Sequence, residues 1–111
     1  MPLAGDFLPY STPGEMQPYA IDFAAQISTG ESISSVTSAL TVAKVTPAGF
    51  NGTDLSPSTN LVGPPAFAGT VCSQNVGPLQ ANVVYLLIFT VTTTAGRTLI
   101  NYGHIYSQAP T

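Results

Sequence analysis

Charge is what this chain lacks most: only 6% of its 111 residues are Asp, Glu, Lys or Arg, against about 25% in an ordinary soluble domain. The basic residues number two, Lys44 and Arg97. Affinity for phosphate backbones comes from clustered Lys and Arg, so the sequence argues against a nucleic-acid partner. The one cysteine, Cys72, excludes an internal disulfide framework; set between Val71 and Ser73 in a β-rich stretch, it reads as a small buried hydrophobe. The one histidine, His104, leaves no His-based metal set. Tryptophan is absent. No apolar run approaches the ~18 residues of a membrane-spanning helix, the longest being Val83 to Phe89, so no membrane partner is expected. Asp6 stands where a secretory signal carries positive charge, and Pro2 and Pro9 interrupt the apolar residues around it, which predicts a cytosolic product without a targeting segment.

The groups that carry chemistry are as sparse as the charges. The five carboxylates, Asp6, Glu15, Asp22, Glu31 and Asp54, are scattered, and only Asp22 and Glu31 approach one another across a turn; no pair is spaced for acid and base work. There is no Gly-x-Ser-x-Gly elbow to partner His104. The nearest approach to a phosphate loop, Gly63-Pro64-Pro65, has prolines where backbone N–H donors would be needed. The expectation is a protein that is not an enzyme and has no catalytic residues, metal or cofactor.

What is present is 44% hydrophobic residues and a large complement of Ser and Thr, as in Ser34-Ser35 and Thr92-Thr93-Thr94. Uncharged hydroxyls are cheap to desolvate compared with ions. A monomer that is free in solution keeps itself soluble with a mixed, charge-rich surface. The composition therefore reads as contact with neighbouring subunits, the other reading being a bias tolerated in a secreted β-domain. A chain of this length has room for one core.

Residues 1–18 carry Pro2, Pro9, Pro13 and Pro18, a density that forbids helix and the middle of a sheet. They predict an extended arm ahead of a β-sandwich domain at 19–111. The arm also holds Leu3, Phe7, Leu8, Tyr10 and Met16, too apolar for a solvated linker; it either docks into a neighbour or packs on its own domain. In YAIDFAAQI, Tyr19, Ile21, Phe23, Ala25 and Ile27 share one parity, the pattern of a half-buried strand. A second strand is expected over Ile33 to Val45, with Val36, Leu40, Val42 and Val45 facing the core. The mismatched parity of Ile33 and Val36 asks for a bulge near Thr37 or Ser38. Thr46 to Gly69 reads as loops around one or two short strands, and Val71 to Val76 as a strand ended by Gly77-Pro78.

The strongest signal is a hairpin, in which two β-rich runs flank Thr94-Ala95-Gly96-Arg97 and Gly96 supplies the positive φ of a tight turn. Short strands between turns, with no helical periodicity, give an all-β sandwich of about seven strands. Two stretches exceed what a simple core requires. From Val83 to Val91 both parities are apolar although a sandwich strand buries one face, so the second face is covered by the arm, by the middle loop or by another subunit. In the last strand Tyr102, His104 and Tyr106 form one row. Tyrosine suits interfaces because its ring supplies area while its hydroxyl stays satisfied; the row is either a contact surface or ordinary cross-strand packing.

Tyr19, Ile21, Asp22 and Phe23, then Gly30, Glu31 and Ile33, and finally Thr94, Ala95, Gly96, Arg97 and Thr98 follow a pattern. The order resembles that of small immunoglobulin-like virion proteins of tailed bacteriophages, the fibre-tail adaptor type, and extends over Pro18 to Tyr106. It departs from them where Leu40 or Val42 replaces a tryptophan and where Thr46 to Val76 is longer and richer in Pro and Gly. The resemblance implies an immunoglobulin-like fold and a structural role in the virion, bridging tail or neck components to fibres or neighbouring subunits in multiple copies. Capsid decoration is the alternative within that class. A carbohydrate- or receptor-binding module is the alternative outside it, with Tyr102, His104 and Tyr106 as its aromatic platform. The expected partners are other phage structural proteins, and the expected interface residues are Leu3, Phe7, Leu8, Tyr10, Met16, Tyr102, His104 and Tyr106.

Overall fold

The computed structural model describes residues 16–43 and 48–107 with their side chains and residues 5–11 by their backbone. Seven strands run through them: β1 (Gly5–Ser11), β2 (Gln17–Asp22), β3 (Ile33–Val42), β4 (Leu61–Ala68), β5 (Val71–Val76), β6 (Val83–Thr93) and β7 (Thr98–Ser107), with one 3-10 turn at Pro57–Asn60. They make a four-stranded sheet in the order β1-β7-β6-β3 and a three-stranded sheet in the order β2-β5-β4. Every neighbouring pair is antiparallel except β1 with β7. The chain is thus an all-β sandwich of seven strands.

Alternation explains how the two sheets meet. Tyr19, Ile21, Cys72 and Val76 face inward from the smaller sheet; Leu40, Tyr85, Leu87, Phe89 and Ile105 face inward from the larger, and together they form one buried cluster. Cys72 is buried and free, and burial, helped by the charge of Asp22, pushes its thiol up to about 11. This is the inert small hydrophobe expected of it.

Local chemistry sets the strand limits. The first sandwich strand stops at Asp22 rather than running to Ile27, because the Asp22 carboxylate accepts the Ala24 N–H at 2.9 Å. The Phe23 carbonyl then accepts from Gln26 and Ile27. That turn removes Ala25 from the inward row and leaves it exposed. The bulge in β3 is real but earlier than the parity argument placed it: the register slips between Ile33 and Ser35. Ser34 is the extra residue, and its hydroxyl donates to the Thr92 carbonyl at 2.9 Å. Strand β3 ends at Val42, and Val45 lies outside the described residues. The β6–β7 turn falls at 94–97 as expected, with Gly96 at φ 83°.

The segment 1–18 contributes to both sheets. Residues 5–11 are β1, parallel to β7 at the sheet edge, and β2 begins at Gln17. An edge is where a strand containing Pro9 belongs.

The loop after β3 lies flush on the turn before β6. The Gly52 N–H donates to the Asn82 carbonyl at 2.8 Å, and a Cβ at Gly52 would sit 2.5 Å from the Ala81 carbonyl oxygen. Gly52→Ala is therefore expected to lower stability by about 1–3 kcal/mol, the usual cost of overpacking. Urea unfolding followed by circular dichroism checks it, the expected signature being a lower midpoint with an unchanged slope.

Candidate functional site

The outward side of the four-stranded sheet is built from three adjacent rows fixed by register. Strand β7 supplies Thr98, Ile100, Tyr102, His104 and Tyr106, which lie opposite Thr92, Thr90, Ile88, Leu86 and Val84 of β6. Strand β3 adds Ser35, Thr37, Ala39 and Thr41 opposite Thr92, Thr90, Ile88 and Leu86. None of these fourteen residues is Asp, Glu, Lys or Arg.

The double apolar character of β6 is resolved by dividing this face. At one end the middle loop covers it: Phe50 is buried, Val84 is buried, and both lie outside the core cluster. The Phe50 ring stands edge-on to Tyr106 with centroids 5.3 Å apart. Toward the other end Leu86, Ile88 and Thr90 are half-exposed and Ile100 is 46% exposed. Covering by the middle loop thus accounts for Val84 and Tyr106, while the centre of the sheet stays partly exposed.

The aromatic row is continuous. Tyr102 and His104 meet edge-on at 6.3 Å, and His104 and Tyr106 lie tilted at 6.5 Å. All three are half-exposed. Rings that are packed along one side and open on the other hold their shape before anything docks, which reduces the ordering cost of association. Of the other expected interface residues, Met16 is 57% exposed just before β2. Leu3 lies outside the described residues, as do the side chains of Phe7, Leu8 and Tyr10 in β1.

A second cluster sits at one end of the sandwich, where the β2–β3 turn meets the β6–β7 hairpin. Arg97 Nε donates to Glu31 Oε2 at 2.9 Å, and Arg97 Nη2 donates to Glu31 Oε1 and to the Gln26 carbonyl. Thr93 Oγ1 donates to Glu31 Oε2 at 2.6 Å, and the Ser28 N–H donates to Oε1 at 3.0 Å. The Arg97 hydrogen bonds, with those from Thr93 and Ser28, pull the Glu31 carboxyl down to about 2. The Glu31 side chain is only 5% exposed while that of Arg97 is 45% exposed. The two residues stand 66 positions apart, and no local pattern in the sequence marks them as a pair.

A shallow open depression of about 340 Å³ lies over this pair, lined by Ser28, Thr29, Gly30, Glu31, Thr94, Ala95 and Arg97. Its wall holds hydroxyls and a charge pair already satisfied within the chain, and neither histidine nor cysteine. Among the described residues no group of three His, Cys, Asp or Glu comes together as a metal set.

A third network ties the middle loop to the core. Tyr85 Oη accepts the Gln80 N–H at 3.0 Å and donates to Asp54 Oδ2 at 2.8 Å. Asp54 also accepts from the Ser56 N–H and from Asn60 Nδ2, each at 2.9 Å. Burial works to raise the Asp54 carboxyl, but these hydrogen bonds outweigh it and hold it below the ordinary carboxylate value.

No protein-family model matches the chain, and no curated protein sequence matches it.

Proposed function

We propose that this chain is a structural protein of a tailed-phage virion. In this reading it is a small immunoglobulin-like sandwich that bridges tail or neck components to fibres or neighbouring subunits through the outer face of its four-stranded sheet. One observation carries the reading: the partly exposed centre of that face, Leu86, Ile88, Thr90, Ile100, Tyr102 and His104, is apolar, hydroxylic or aromatic and contains no Asp, Glu, Lys or Arg. Interface centres are depleted of charge and enriched in tyrosine in the same way.

Two features support the immunoglobulin-like part. The orders β2-β5-β4 and β3-β6-β7 follow strands B-E-D and C-F-G of such domains. Tyr85, near the start of β6, has its hydroxyl bonded to the Gln80 backbone just upstream, as in the tyrosine corner of strand F. The two stretches behind the resemblance also converge, through Glu31 and Arg97.

Cryo-EM of the particle that contains this chain is the test. The expected map shows the chain at tail or neck with the β6–β7 face buried against another subunit. Ile88→Glu, at a half-exposed position, should leave the domain folded and abolish incorporation into particles. A chain absent from the particle, or present with that face open to solvent, would sink the proposal; copies spread over the capsid lattice would make it a decoration protein.

A further inference from the structure

The sandwich has four sheet edges, and three are blunted in ways that natural sheets use against edge pairing. Strand β1 carries Pro9 and β2 carries Pro18. Strand β4 carries Pro64 and Pro65 within a register shift, with Gly63 at φ 70°. Strand β3 is different. Its ten residues, ISSVTSALTV, contain no proline, glycine or charge, and its bulge is confined to the first residues.

The direction of its backbone groups follows from the ladder. Ala43 donates to the Val84 carbonyl at 2.9 Å, and bonded pairs alternate along an antiparallel ladder. With β3 and β6 in unbroken register from Ser35 to Val42, Thr37, Ala39 and Thr41 turn their N–H and C=O groups toward β6. Val36, Ser38, Leu40 and Val42 turn theirs away from β6, to the outer edge of the sheet. Strand β4 and the 3-10 turn pass nearby, but among the described residues neither gives β3 a backbone hydrogen bond.

We propose that the β3 edge pairs with the β3 edge of a second copy of this chain, antiparallel about a two-fold axis at Ser38, joining the two four-stranded sheets into one. The sequence is self-complementary in that register. On the core side Val36 lies beside Leu40 of the second copy, and Ser38 beside its own counterpart. On the outer side Thr37 meets Ala39, and Ser35 meets Thr41. Apolar residues meet apolar ones, hydroxyls meet hydroxyls or alanine, and no like charges oppose one another, the arrangement that favours cross-strand pairs. A two-fold contact uses the same patch on both copies and closes on itself. It also sets two Tyr102–His104–Tyr106 faces side by side on one surface, so that, on the function proposed above, the bridging unit would be the pair.

Sedimentation equilibrium of the purified chain over micromolar to sub-millimolar concentrations tests this without any particle. The wild type is expected to shift from the 11.4 kDa monomer to twice that mass, with the Val36, Ser38 and Leu40 amides gaining protection from hydrogen exchange on association. Ser38→Pro removes an N–H that points to the edge and not to β6, and should abolish the dimer. Should that variant fail to fold, Thr37→Lys with Ala39→Lys places like charges across the two-fold from exposed positions and should do the same. A wild type that stays monomeric throughout, a dimer that survives the folded edge variants, or one without protection of those amides overturns the proposal. Ile88→Glu should leave the dimer intact, so failure of the edge contact and failure of the proposed virion role read out separately.

Discussion

Replacing Tyr85 with alanine is expected to cost the domain about 3–5 kcal/mol, the range for deleting a buried aromatic ring, and replacing it with phenylalanine about 1–3 kcal/mol. The ring is fully buried between the sheets. The hydroxyl joins two segments that the ring does not: it accepts from Gln80 in the approach to β6 and donates to Asp54 in the loop before β4. In Tyr85→Phe the packing survives, while the Asp54 carboxylate keeps its charge and loses one of its donors. In Tyr85→Ala both contributions go, a large share of the ~5–15 kcal/mol that holds a natural domain together. The difference between the two variants in denaturant unfolding thus separates ring from hydroxyl. A Tyr85→Phe variant as stable as the wild type would mean that the hydroxyl network contributes nothing.

Phenylalanine at position 85 should also loosen the 54–60 segment, because Asp54 organises it through the Ser56 N–H and Asn60. Hydrogen exchange in that segment would rise in the variant while β6 and β7 stay protected, which distinguishes local release from global destabilisation.

How far the fold could be read from residues depended on whether the controlling interaction was local. The β6–β7 turn and the limits of β5 were legible because Gly96 and Gly77-Pro78 punctuate them. The end of β2 was not: the parity of Tyr19, Ile21 and Phe23 continues through Ala25 and Ile27, and only the Asp22 side chain capturing the Ala24 N–H breaks it. An Asp next to the last buried aromatic was the available signal, since Asp is prone to bond the backbone two residues on. The bulge was legible in kind but not in place, because mismatched parity says that a residue is extra without saying which one. In the candidate interface, the Tyr102–His104–Tyr106 row could be seen in the sequence. That Phe50 would cover Val84 and leave Ile88 partly exposed could not, for that follows from where a loop of uncertain pattern returns to the sheet.

The pairing of Glu31 with Arg97 was hidden for the same reason, the two standing 66 positions apart. A signal existed nonetheless: in a chain with two basic residues, one sits in a hairpin turn and a carboxylate sits in another turn. Its consequence is an acid sensitivity with a definite sign. The Glu31 carboxyl falls from its ordinary 4.5 to about 2, chiefly through its hydrogen bonds with Arg97, then through Thr93 and Ser28. A carboxyl depressed by folding stabilises the native state fully above its unfolded value, and that contribution is lost as the pH falls through the folded one. The wild-type melting temperature should therefore decline between pH 4.5 and about 2. Glu31→Gln is expected to melt lower at neutral pH, to follow a flatter profile through that window, and to converge with the wild type at its acid end. Among the described residues, Asp22 and Asp54, whose carboxyls are also held low, contribute to the remaining slope. Arg97→Gln should behave in the opposite way. It leaves a nearly buried Glu31 side chain without its cation, which is more harmful than removing the charge itself, and its deficit relative to the wild type should shrink as acid protonates the orphaned carboxyl. Melting curves for the three proteins from pH 7 to pH 2 decide the matter; parallel profiles would mean that the Glu31–Arg97 pair does not hold the two turns together.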